Sequence, residues 1–138
     1  MGTQQPQRED ESMESVRVLI VDDQRPFREA SNMVVEMTDG FEVVGEAENG
    51  EDAVAMAADL RPDLVLMDVQ MPGIDGLEAT RRIMELDPPP RVLVMSTHES
   101  SSYEEPALAA GAIAFIPKSE FSMDALEASW AAAVGGER

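Results

Sequence analysis

The chain has 138 residues, 43% of them hydrophobic, and carries 28 acidic side chains against 10 basic ones for a formal net charge of −18. That length suits one domain with enough apolar material for a core, and the absence of cysteine excludes disulfides, thiolate metal sites and cysteine nucleophiles together. Nucleic acid and anionic membrane surfaces are disfavoured as direct partners, because both are held by clustered Lys and Arg. No apolar run approaches the ~20 residues of a membrane span and the N-terminus lacks a signal peptide's pattern, so a soluble cytoplasmic protein is expected.

Residues 1–15 hold no apolar side chain besides Met1 and Met13. Such a segment cannot offset the entropy of ordering, and a disordered acidic tail is expected there. From residue 16 to 134 short β-branched runs alternate with helical patterns, which predicts βαβ units around a parallel sheet. The first strand is expected at 16–21 (VRVLIV), followed by a helix over 26–37 that opens on Pro26 and repeats Phe27, Ala30, Val34 and Met37 at helical spacing.

A second strand at 41–47 leads to Asn49, an N-cap candidate, and to an alanine-rich helix that stops before Pro62. The third strand, 63–67 (DLVLM), is apolar enough for burial on both faces. Asp75 and Glu78 stand at capping-box spacing ahead of a helix to about residue 86, which Pro88, Pro89 and Pro90 terminate. Strands at 91–95 and 114–116 and a last helix over 123–134, carrying Trp130 toward the sheet, complete five cycles. The ten methionines are read as core filler.

In open parallel sheets ligands bind beyond the carboxyl ends of the strands. Asp22 and Asp23 follow the first strand, Asp68 the third, Ser96 the fourth and Lys118 the fifth. Three neighbouring carboxylates raise one another's pKa unless a cation neutralises them, and hard oxygen ligands suit Mg²⁺. One carboxylate can then attack phosphorus, with the metal, Lys118 and the Ser96 hydroxyl sharing the charge of the phosphoryl oxygens.

The segments VLIVDDQ (18–24), LVLMDVQMPGIDG (64–76), VLVMST (92–97) and GAIAFIPKS (111–119) resemble the receiver domain of bacterial two-component response regulators. The resemblance covers nearly everything but the tail. It implies a three-layer, flavodoxin-like, doubly wound α/β fold with five parallel strands in the order 2-1-3-4-5. It also implies that Asp68 accepts a phosphoryl group from a histidine kinase or phosphotransfer protein. Asp22, Asp23, Asp68 and the backbone carbonyl of Gln70 would hold Mg²⁺, with Asp23 a direct ligand and Asp22 acting more through water. Lys118 would contact the phosphoryl group, Ser96 and Phe115 would form the switch, and Gln70 and His98 stand where phosphoryl lifetime is tuned, in a direction the residues leave open. The readout would be the face of helix 4, strand 5 and helix 5, acting on a downstream protein or an output domain, with phosphorylation-dependent pairing of two copies as one expected mode.

Two departures from the family pattern stand out. Pro117 precedes Lys118 and Ser119 follows it, so a cis Lys118–Ser119 bond, costing ~3 kcal/mol without proline, is not expected. Pro106 falls where helix 4 should be under way, which means either a late start with Pro106 in the first turn or a distorted helix. Residues 135–138 are the end of the domain or the start of a linker to a helix-turn-helix output. An Mg²⁺-dependent phosphatase with an aspartyl-phosphate intermediate is the alternative, although such enzymes use a D-x-D pair after the first strand whereas here the two aspartates are adjacent. The expectation is therefore a switch that catalyses only its own phosphorylation and dephosphorylation.

Overall fold

A computed structural model of the chain describes residues 15–97 and 101–135. The 1–14 part of the expected tail, His98 and residues 136–138 lie outside them. Five parallel strands, β1 (Val16–Val21), β2 (Phe41–Ala47), β3 (Leu64–Asp68), β4 (Arg91–Ser96) and β5 (Ala114–Pro117), form one sheet in the order β2-β1-β3-β4-β5. Between and after them come α1 (Arg25–Met37), α2 (Gly50–Leu60), α3 (Gly76–Ile83), α4 (Glu104–Ala110) and α5 (Met123–Gly135), with short 3₁₀ turns at Ser101–Tyr103 and Lys118–Glu120.

The side-chain alternation of the strands sorts the core into two layers. Leu19, Val21, Val65, Met67, Val92 and Val94 pack toward α2, α3 and α4, while Val18, Ile20, Leu64, Leu66, Leu93 and Met95 pack toward α1 and α5. The central strands β1, β3 and β4 are buried on both faces, and for that reason they read as unbroken apolar runs. The edge strands β2 and β5 are half-buried. In β2 the register slips opposite Val18 and Leu19, leaving Val44 as an extra residue.

Helix starts follow the sequence signals. Asn49 Oδ1 accepts from the Asp52 N–H at 2.7 Å, and Asp75 Oδ1 from the Glu78 N–H at 2.8 Å. Glu78 does not reach back to close a capping box; its carboxylate holds Arg81 and Arg82 at 3.0 Å each. The helix after Asp75 ends at Ile83 rather than near residue 86, because the Glu85 and Leu86 N–H groups bond three residues back and tighten the last turn. Pro106 lies in the first turn of α4, the late-start alternative. The cis bond among the described residues is Asp87–Pro88; Lys118–Ser119 is not cis.

Helix α1 departs from its sequence pattern. The buried row is Arg28, Ser31 and Val35, whereas Ala30 and Met37 face solvent and Phe27 is only partly covered. The helix is rotated by about one residue from the apolar stripe because Arg28 turns inward to ion-pair partners on β2 and its flank. Met33, Met37 and Met123 are exposed, at 62%, 63% and 40%, so the methionines are not all core filler. Trp130 is half-buried, edge-on to Phe41 at 6.5 Å with Arg91 over its ring.

Candidate functional site

The carboxyl ends of β1, β3 and β5 bring four of the expected side chains together. Oxygens of Asp22, Asp23 and Asp68 lie within 4.8 Å of one another. Lys118 Nζ sits 2.5 Å from Asp22 Oδ2 and 3.4 Å from Asp68 Oδ1, with its side chain 6% exposed. It is therefore a buried counter-ion and not a snorkelling surface lysine. The same ammonium lies 4.0 Å from the centre of the Phe27 ring, a cation–π contact that steers it over the carboxylates.

Each carboxylate has a different setting. Asp22 is 2% exposed: Oδ1 accepts from the Gln24 N–H at 2.9 Å, Oδ2 is ion-paired with Lys118 but accepts no hydrogen bond among the described residues, and the backbone carbonyl accepts from Arg28 Nη1 at 2.8 Å. Asp23 is half-buried and its carboxylate has no ion pair or hydrogen bond with another described residue. Asp68 is 4% exposed at the end of β3. Burial first, and then the charge of Asp22, push its carboxyl up to about 6, against the opposing pull of Lys118 and the Gln70 backbone N–H.

The loop after β3 is shaped by a close approach. A Cβ at Gly76 would stand 2.0 Å from the Asp68 carbonyl oxygen, so only glycine lets α3 begin against the strand end that carries Asp68. The Gly76 N–H donates to the Val69 carbonyl at 2.7 Å and Thr80 Oγ1 to the Gly76 carbonyl at 2.7 Å, fixing that loop from both sides. Above the carboxylates opens a cleft of about 570 Å³ lined by Asp23, Phe27, Asp68, Gln70, Thr97 and Lys118 among others.

Ser96 closes β4, is 1% exposed and pairs in register with Pro117, the residue before Lys118. Its neighbour Thr97, not singled out in the sequence, is the hydroxyl that lines the cleft. Phe115 is half-buried, packed against the core on the α2–α4 side, with its ring 6.4 Å from that of Tyr103. Gln70 Nε2 donates to the Tyr103 hydroxyl at 3.1 Å. Phe27 and Arg28 were also missed as site residues: Phe27 was legible only as an apolar member of a helix, and an arginine turned inward has no sequence signature.

Hard oxygen donors, one of them without a partner among the described residues, fit a divalent cation such as Mg²⁺. The phosphatase alternative gains nothing, because the first aspartate after β1 is engaged at both oxygens.

The family model described as the response regulator receiver domain matches residues 18–130. The chain belongs to this family. It is 40% identical over 122 residues to the transcriptional regulatory protein DegU of Brevibacillus brevis, covering 88% of this chain and 51% of that protein. Among solved structures, it is similar to the signal receiver domain of the NarL response regulator from Mycobacterium tuberculosis, at 33% identity and a TM-score of 0.80, covering 88% of this chain and 98% of that one. It is also similar to a chain of the CheX-CheY-BeF3-Mg+2 complex from Borrelia burgdorferi, at 28% identity and a TM-score of 0.76, covering 86% and 88%. The receiver thus spans about half the length of DegU, and no helix among its described residues is long and apolar enough to cross a membrane.

Proposed function

We propose that Asp68 is the phospho-acceptor of this receiver, taking its phosphoryl group from the phosphohistidine of a histidine kinase or phosphotransfer protein. The P–N bond of the donor breaks as the P–O bond to Asp68 forms, and the histidine leaves. The observation that carries this reading is the buried ammonium of Lys118 bridging Asp22 and Asp68 at the floor of an open cleft. Asp23, Asp68, Asp22 and the Gln70 carbonyl would hold Mg²⁺, which when bound supplies charge neutralisation for the carboxylates and for a phosphoryl oxygen; the magnesium named with the CheX-CheY complex that holds the similar chain supports this.

The roles of the chain's own groups follow from their settings. Above about pH 6 Asp68 is ionised and nucleophilic. Once its oxygen carries the phosphoryl group as an acyl phosphate, Lys118 is released from that carboxylate charge to pair with a phosphoryl oxygen. Ser96 at the end of β4 and Phe115 on β5 move as the switch, favouring the state in which the hydroxyl reaches the new anion. The face of α4, β5 and α5 carries the change to a protein partner, a second copy or an output domain. Residues 16–134 form this unit, a division that the match over 18–130 supports. DegU's name supports a transcriptional output supplied by another domain. A cytoplasmic location and no catalysis beyond self-phosphorylation and dephosphorylation complete the reading.

Incubation with Mg²⁺ and acetyl phosphate, followed by intact mass, tests it. The wild type gains one phosphoryl group and Asp68→Asn none. Equal uptake by the variant, or steady turnover of phosphate monoesters, defeats the proposal.

A further inference from the structure

Arg28 reaches the backbone of the site, whereas Lys118 reaches its carboxylates. Its side chain is 10% exposed, with Nη1 donating to the Asp22 carbonyl at 2.8 Å, Nε 3.4 Å from Glu46 Oε1 and Nη2 3.6 Å from Glu48 Oε2. Glu46 is itself held by Asn32 Nδ2 at 2.9 Å. The Asp22 carbonyl belongs to the peptide that joins Asp22 to Asp23, so the guanidinium fixes the plane of that peptide. The Asp22 N–H, bonded to the Ala47 carbonyl at 3.1 Å, and the Asp22 Oδ1 bond to the Gln24 N–H hold the same residue from two further directions. Asp23 has no such fastening of its carboxylate to the described residues, so its aim depends on the peptide that precedes it.

We infer that Arg28 is a positioning residue for divalent-cation binding: it orients the Asp22–Asp23 peptide so that the Asp23 carboxylate faces Asp68. The two glutamates explain how a cation can serve there. A guanidinium beside a cation site opposes binding by simple charge, and Glu46 and Glu48 balance it while a planar fork keeps its geometry. Charge and geometry therefore make opposite predictions for the loss of this side chain. Removing a positive charge alone would tighten Mg²⁺ binding, whereas loosening the peptide weakens it.

The inference rests on the cation reading, and the experiment separates the two. The full ¹⁵N-labelled chain is titrated with MgCl₂, following amide shifts around residues 22–24 and 68 and the heat of binding, for the wild type, Arg28→Gln and Arg28→Lys. Arg28→Gln is expected to bind about tenfold more weakly. Arg28→Lys, which keeps the charge but replaces the planar fork with a point donor, is expected to bind about threefold more weakly, and it serves as the deciding variant if the glutamine form does not fold. Shifts of the Trp130 indole N–H, remote from the rim, report an intact fold. Binding by Arg28→Lys at wild-type affinity, or tighter binding by Arg28→Gln, overturns the positioning role. A wild type with no response to MgCl₂ overturns the cation reading itself.

Discussion

The two rims of the sheet treat charge in opposite ways. At the amino rim the polar groups find partners at modest distances: the Arg17 N–H donates to Asp63 Oδ2 at 2.9 Å, Arg17 Nη1 to the Arg61 carbonyl at 2.7 Å, and Arg91 lies over the Trp130 ring at 5.3 Å. At the carboxyl rim three carboxylates cluster around one buried ammonium, which pairs with Asp22 and Asp68 but not with Asp23, and the Asp68 carboxyl is pushed up to about 6. One rim is built to be satisfied by its own residues. The other is left short of positive charge, which is the condition for taking up a cation and then a phosphoryl group, and the imbalance marks the functional end without reference to any relative.

The sharpest way to break this comparison is to remove the ammonium. Lys118→Met leaves Asp22 and Asp68 buried against each other, and metal-free stability at pH 7.5 is expected to fall by about 3 kcal/mol. Denaturant titration with and without MgCl₂ checks it, the salt recovering part of the loss. A stability unchanged in metal-free buffer would mean that the cluster is already hydrated and carries no strain.

A smaller effect of opposite sign is expected at Asp68. The folded receiver keeps this proton up to about pH 6, whereas the unfolded chain releases it near its ordinary value of 3.8. The metal-free fold is therefore favoured by this group below pH 4, loses that advantage as pH rises to about 6, and stays at the lower level above. Asp68→Asn should be more stable than the wild type by on the order of 1 to 2 kcal/mol at pH 8, with the difference shrinking toward zero near pH 4. Paired urea curves at the two pH values decide this; a constant offset across pH would remove the titration from the account.

The amino rim supplies the control and the smallest effect. Asp63→Ala removes one exposed hydrogen bond and should cost about 1 kcal/mol or less, with no dependence on MgCl₂. A magnesium-dependent loss there would mean that the rims are coupled, contrary to the contrast drawn between them.

Much of this was legible in the residues. Val16–Val21 and Phe41–Ala47 are strands at the expected bounds, because apolar runs of that length between turn residues have few other ways to be buried. Asn49 and Asp75 cap their helices as their side chains require. The order of Asp22, Asp23, Asp68 and Lys118 on successive strand ends was also readable, since a parallel sheet places all such ends on one rim.

What the sequence determined by itself was the alternation of buried runs and helices, and hence which residue types could meet at that rim. Tertiary structure alone decided the rotation of α1, the inward turn of Arg28, the seat of Lys118 over Phe27 and an Asp23 carboxylate left without a partner among the described residues. Periodicity registers which side chains avoid water. It carries no record of which polar ones are drawn inward by partners distant in the chain, because those attractions exist only once β2 and β5 lie beside the elements they face.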